Sequence, residues 1–128
     1  MELLLDTHAF IWFINGDDSL PCKVKNEIKD VRNKCFLSIA SLWEIAIKTS
    51  LGKLELKSDF NKLADFLSAN EIDILPITFE HLQKLLNLKY HHRDPFDRII
   101  ISQGITDKLT VLTKDENFKK YRVKIMWE

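Results

Sequence analysis

The sequence predicts an α/β fold, a mainly parallel central sheet of about five strands flanked by helices on both faces. Three observations predict it. Short apolar runs alternate with helix-period segments in the order strand, helices, strand, helices, strand, helices, strand, strand, and such alternation implies a parallel sheet covered on both sides. The 128 residues suit one domain spanning 1–128, and 45% apolar content is enough for a core. Acidic residues stand where predicted strands end or predicted helices begin, positions that an open α/β sheet brings to one crevice.

In chain order, Leu3 to Leu5 form an unbroken apolar run that reads as a short buried strand. Thr7 is placed to cap a brief helix over Ala9 to Ile14. Asn15-Gly16-Asp17-Asp18 reads as a turn. Pro21 can start the next helix, with Val24, Ile28 and Val31 on one face at i, i+4 and i+7. Cys35 to Leu37 read as the second strand. Ser41-Leu42-Trp43-Glu44 has the form of a capping box, which starts a helix at Ser41. Leu42, Trp43, Ile45, Ala46 and Ile47 make that helix apolar nearly all round and predict deep burial. Leu51-Gly52 is its stop signal. Phe60, Leu63, Ala64 and Leu67 trace another amphipathic helix, and Ile72 to Ile77 a third strand ended by Pro76. Phe79, Leu82 and Leu86 mark a fifth helix. Tyr90 to Asp94 form a polar loop, and Pro95 opens a helix running to about Ile105. Thr110 to Thr113 and Val123 to Trp127 read as the last two strands.

Composition removes several function classes. Lys+Arg and Asp+Glu both number 19, which excludes a histone-like polybasic binder. It does not exclude a nuclease, because the local field at a groove matters more than the sum. Three glycines in total leave no phosphate-cradling loop or dinucleotide fingerprint. No G-x-S-x-G turn is present for serine hydrolysis. His8, His81, His91 and His92 show no zinc spacing, and Cys22 and Cys35 form no CxxC pair. The cysteines are expected to be reduced and semi-buried. Met1 to Asp6 carries no basic n-region, and no apolar run approaches the ~18 residues of a membrane span. A cytoplasmic protein with no membrane partner is expected.

The acids carry the chemistry. Like charges about 4 Å apart repel by roughly 1 kcal/mol in water and about 4 at an effective dielectric of 20. A chain that gathers several therefore usually holds a cation, and oxygen-only ligands favour a hard ion such as Mg²⁺ or Mn²⁺. Each acid also has a plainer reading. Asp6, after the first strand, is a metal ligand, a helix N-cap or an Asx turn. Glu44 completes the capping box with Ser41, pairs with Lys48 at i+4, or is a partly buried carboxylate in need of a partner. Asp94 and Asp97 suit the first turn of a helix through its dipole, Asp94 as the N-cap. Asp97, one turn further in, is less easily explained that way. Asp115 is a helix cap or a ligand, and Thr113 beside it can hydrogen-bond a ligand carboxylate. Arg98 can clamp Asp94, contact a phosphate or lie in solvent.

Taken in order, Leu4-Leu5-Asp6-Thr7-His8, Leu37 to Lys48, Gly52-Lys53-Leu54, His92 to Arg98 and Leu112-Thr113-Lys114-Asp115 resemble the successive motifs of PIN-domain proteins, most closely the VapC-type toxins of toxin–antitoxin pairs. The resemblance covers nearly the whole chain. It implies a metal-dependent endoribonuclease. Asp6, Glu44 and Asp97 match the three core acids of the family and Asp115 the fourth, together the catalytic and metal-binding set. Asp94 is a secondary member, and Thr7, Ser41 and Thr113 match the small polar supports. The resemblance further implies Mg²⁺ or Mn²⁺ as cofactor, an RNA substrate, a cognate antitoxin and a homodimer. Arg93, Arg98, Lys48 and Lys53 are candidate phosphate contacts. The surface of Ile11, Trp12 and Phe13 can serve a partner or simply be core. A DNA- or structure-specific nuclease with the same acids, and a non-catalytic module binding RNA or protein, are the competing readings.

Overall fold

A computed structural model describes residues 1–128. Its sheet has five parallel strands in the order β3-β2-β1-β4-β5, with β1 at Glu2–Leu5, β2 at Lys34–Ser38, β3 at Ile72–Leu75, β4 at Thr110–Leu112 and β5 at Lys124–Met126. Six helices connect them: α1 (Thr7–Asn15), α2 (Cys22–Lys29), α3 (Ile39–Ser50), α4 (Leu63–Ala69), α5 (Phe79–Leu86) and α6 (Pro95–Thr106). Two short 3-10 turns lie at Phe60–Lys62 and Glu116–Lys120.

The central strand shows why the fold is three-layered. Leu3, Leu4 and Leu5 have no exposed surface, and they point alternately to the two faces. Leu3 and Leu5 join Phe10, Val24, Ile28, Leu63 and Leu67, so α1, α2 and α4 cover one side. Leu4 joins Ile99, Ile100, Ile101 and Phe118, so α6 and the second 3-10 turn cover the other. A strand buried on both faces reads as a continuous apolar run, which is what the sequence offers there. Gly104 lets α6 lie close to the sheet. A Cβ at that position would stand 3.0 Å from the Cγ2 atoms of both Val111 and Val123.

The fold class and all five strands stand as the sequence predicts, but several local expectations are corrected. The cap of α1 is Asp6, which accepts the Ala9 N–H at 2.7 Å, and Thr7 is already helical. The helix α2 ends at Lys29, because the Asp30 carboxylate takes the N–H and guanidinium of Arg32. Val31 therefore falls outside the helix and is exposed. The helix α3 starts at Ile39 rather than Ser41, capped by the Ser38 side chain on the Ala40 N–H. Ser41 is thus inside the helix and makes no capping box with Glu44. Nor is α3 deeply buried. Ser41, Glu44 and Ile45 face inward, while Ile39, Trp43, Ile47 and the following Leu51 form an exposed stripe at i+4 spacing. In α5 the periodic set Phe79, Leu82 and Leu86 faces solvent, and His81 is the buried residue. Ile11 and Phe13 are core, with Trp12 half-buried against His8 and Trp127. Both cysteines are free, Cys35 buried and Cys22 exposed rather than each semi-buried. No helix is long and apolar enough to cross a membrane.

The acidic crevice and its hydrogen-bond frame

Strand order reverses direction at β1, with β2 on one side and β4 on the other. The crevice outside the carboxyl ends of these strands is the usual ligand site of an open parallel sheet. Asp6 is the first residue after β1 and its N–H donates to Leu112 O of β4 at 3.1 Å. Thr113 and Asp115 follow β4. Ser38 ends β2, and one turn into α3 stand Ser41 and Glu44. Asp94 and Asp97 open α6, which packs against α3.

Each acid is tied to a neighbour. Asp6 is nearly fully buried, and its Oδ2 accepts the Thr113 hydroxyl at 2.5 Å while Oδ1 caps α1. Thr113 in turn accepts the Asp115 N–H at 3.0 Å, so one hydroxyl links the Asp6 carboxylate to the Asp115 backbone. Asp115 caps the second 3-10 turn on the Asn117 N–H. Glu44 is buried and meets Lys48 Nζ at 2.8 Å. Ser41 accepts the Thr7 hydroxyl at 2.9 Å, pinning α1 to α3 directly beside Asp6 and Glu44. Asp94 is the N-cap of α6, accepting from the N–H groups of Phe96 and Asp97.

Asp97 is the pivot. Burial and the surrounding carboxylates of Asp94, Asp115, Asp6 and Glu44, in that order, push its carboxyl up to about 8. Burial also raises the Asp6 carboxyl, against the lowering effect of the Thr113 and Ala9 hydrogen bonds. The four carboxylates are thus close enough to feel one another at Asp97, although no three ionisable side chains are arranged to close on one ion. Glu44 is paired with Lys48, and His92 Nε2 lies 3.3 Å from Asp97 Oδ2. The mouth is a cavity of about 380 Å³ lined by Asp6, His8, Trp12, Lys114 and Asp115.

A network that no sequence pattern signals holds Asp97 from behind. The Tyr121 hydroxyl oxygen accepts from Arg98 Nη1 at 3.2 Å and from the His92 N–H at 3.3 Å. Its single proton is then directed to His92 Nδ1, 2.7 Å away. That assignment leaves the other ring proton on Nε2, facing Asp97. His92 and Tyr121 are 29 residues apart, so no local spacing marks the pair.

Arg98 corrects another expectation. It is only 3% exposed and donates to the carbonyls of Lys89 and Leu88 as well as to Tyr121, with Tyr90 stacked on its guanidinium. It neither clamps Asp94 nor reaches solvent, and it is a structural pin rather than a phosphate contact. Lys48 is engaged by Glu44, whereas Arg93 and Lys53 lie exposed.

The family model described as PIN domain matches residues 3–124. No curated protein matches the sequence. Among solved structures, the chain is similar to VapBC2 from Rickettsia felis bound to a DNA fragment from its promoter, with TM-score 0.74 and 20% identity over 100% of both chains. It is also similar to VapBC-1 from nontypeable Haemophilus influenzae, with TM-score 0.68 and 14% identity over 98% of this chain and 97% of that one. A toxin–antitoxin complex from Klebsiella pneumoniae gives TM-score 0.65 and 13% identity over 97% and 95%. Likeness at these identities shows the fold.

Proposed function

The chain belongs to the PIN domain family, and from that premise we propose that residues 1–128 form one nuclease domain. It is a divalent-metal-dependent endoribonuclease and the toxin of a type II toxin–antitoxin pair. The observation that carries the reading is the placing of Asp6, Asp115, Asp94 and Asp97 with Glu44 around the crevice outside the carboxyl ends of the parallel strands, and burial with these neighbours raises the Asp97 carboxyl to about 8. Such an arrangement is unfavourable for the protein alone and favourable for a bound cation.

The donor chemistry fits a hard ion, although the side chains as they stand do not close on one. Asp6, Glu44, Asp97 and Asp115 supply only oxygen, and each carboxylate retains lone pairs beyond those used in the hydrogen bonds described. Asp6, Glu44, Asp97 and Asp115 would hold the ion, with Asp94 as helix cap and secondary donor. When bound, Mg²⁺ or Mn²⁺ supplies charge neutralisation at a phosphodiester and acidifies water there. The chain's own residues do the rest. Thr113 fixes Asp6 Oδ2, and the Thr7–Ser41 bond fixes α1 against α3. The Nε2–H of His92 orients Asp97 Oδ2. Lys48 pairs with Glu44.

RNA is the substrate of this reading, and a cognate antitoxin is its partner. The likeness to VapBC chains and to a toxin–antitoxin complex supports the toxin role. A homodimer and an antitoxin both need apolar contact surface. The exposed stripe Ile39, Trp43, Ile47 and Leu51 on α3, with Phe79 and Leu86 on α5, supplies it.

Purified protein incubated with total RNA and Mg²⁺, Mn²⁺ or EDTA, beside Asp97→Asn, tests the function. Metal-dependent cutting absent from the variant is expected. A variant that cuts as fast as the parent removes the site assignment. Cleavage of DNA alone shifts the reading to a DNA nuclease, and a folded chain that binds but never cuts shifts it to a binding module.

A further inference from the structure

The charges of this chain cancel in sum but not in space. Lys84 of α5, Lys89 in the loop after it, and Lys120 and Arg122 near the second 3-10 turn line one cavity of about 340 Å³. No carboxylate lines it. None of the four cations belongs to any of the ion pairs, which use Arg32, Lys48, His81, His92 and Lys119 instead. Only Lys120 has a polar side-chain partner, the neutral Asn117 at 2.9 Å. Cations gathered without counter-charge set up a local positive field that an anion relieves.

Tyr90, next in the chain to the lining residues Lys89 and His91 but not itself lining the cavity, is 79% exposed. One face of its ring rests on the buried Arg98 guanidinium, 3.9 Å from Cζ to the ring centroid, and this holds the ring as a platform. The cavity is also joined to the acidic crevice. Tyr121 lines it, and the Tyr121 hydroxyl meets His92, whose far nitrogen faces Asp97.

We propose that this cavity is a binding site for the backbone of single-stranded RNA, with phosphates on Lys84, Lys89, Lys120 and Arg122 and a base stacked on Tyr90. The choice of RNA rests on the nuclease reading above. An acidic protein segment would use the same cations but gains little from a flat exposed aromatic ring, whereas every nucleobase has a face to stack on it. The site lies apart from the acids, so it holds the strand while the crevice takes the scissile bond.

The test uses the full chain in EDTA and a fluorescein-labelled twenty-nucleotide single-stranded RNA of mixed sequence, with anisotropy followed across a salt series. Cleavage by the same wild-type preparation in Mg²⁺ is measured in parallel. Lys89→Ala/Lys120→Ala/Arg122→Ala removes three exposed cations and should flatten the log–log salt slope by up to about 0.7 for each phosphate no longer neutralised. Tyr90→Ala should weaken binding at least about fivefold with the slope unchanged. Wild-type affinity and slope in the triple variant overturn the site, even when the wild type cleaves RNA, and leave the nuclease reading intact. A cavity that serves an acidic protein partner gives that same result and overturns the proposal. Cation-dependent binding by a wild type that never cleaves keeps the site and removes the nuclease reading. A wild type that neither binds nor cleaves removes both.

Discussion

In the acidic crevice every carboxylate is tied down: Asp6 by Thr113 and Ala9, Glu44 by Lys48, Asp94 by two helix N–H groups, Asp97 by His92, Asp115 by Asn117. In the basic cavity, one tyrosine and one histidine away, Lys84, Lys89, Lys120 and Arg122 have no ionic partner. The two regions are like-charged clusters of opposite sign, built under different dielectric conditions. Lysines and arginines on long stems can separate their charges in water, where repulsion at about 4 Å is only about 1 kcal/mol per pair. The carboxylates of the crevice, with Asp6 and Glu44 themselves buried, have no such freedom. Burial first, and then the neighbouring carboxylates, raise protonation at Asp97, whereas at Asp6 burial is the chief cause and the Asp115 charge the least. Changes in the crevice should therefore register in activity, stability and pH, and changes in the cavity in ionic strength.

Four experiments bear on that contrast. The largest effect is expected from Glu44→Gln. It should abolish cleavage while stability stays within about 0.5 kcal/mol, because the structure leaves Glu44 only an i,i+4 pair and no capping box. Retained activity in protein shown to be folded by its urea transition would exclude Glu44 from the reaction. Arg98→Ala comes next. Removing a buried side chain that satisfies two carbonyls and a tyrosine should destabilise the fold by about 3 kcal/mol, read as a lower urea midpoint. A stability-neutral change with a flatter salt slope for RNA would return Arg98 to the phosphate contacts. Thr113→Val keeps the shape and deletes the Asp6 hydrogen bond. Activity and metal affinity should fall about 10–100-fold with the fold retained, and an unchanged metal titration would sink that role.

The smallest effect per unit is the pH dependence of stability in EDTA. Asp97 binds its proton with a folded value of about 8 against an ordinary 3.8. Between those values the folded chain binds more protons than the unfolded one, so stability must fall as pH rises. The slope from one group cannot exceed about 1.4 kcal/mol per pH unit. Asp6, raised in the same direction, adds to it. Asp97→Asn should flatten the decline between about pH 4 and 8, and parallel curves for parent and variant would show that neither burial nor the neighbouring carboxylates raise that carboxyl.

Much of this was legible in the chain. Leu3-Leu4-Leu5 reads as a strand buried on both faces, and the structure places it as the fully buried central strand β1. The placing of Asp6, Asp97 and Asp115 at strand and helix ends stands as read, whereas Glu44 lies in the middle of α3 rather than at its start. The plainer readings proved true as well: Asp6, Asp94 and Asp115 all cap helical turns, and capping leaves lone pairs for other work. What failed were choices between equal local options. Ser38 and Ser41 are both good caps, and the end of β2, which pairs through Ser38 with Leu75, decided for Ser38. Phe79, Leu82 and Leu86 have perfect helical spacing, but His81 is the residue drawn in, bonded at one nitrogen to Thr78 and at the other to Asp107.

The order of elements, the parallel sheet and the edge at which the acids meet follow from the chain alone, because apolar period and strand–helix alternation are local and additive along it. Which helix faces turn inward, the burial of Arg98, and the stand of His92 and Tyr121 behind Asp97 were settled only by tertiary packing. Those outcomes depend on partners far apart in sequence, and on burial that no single residue can specify.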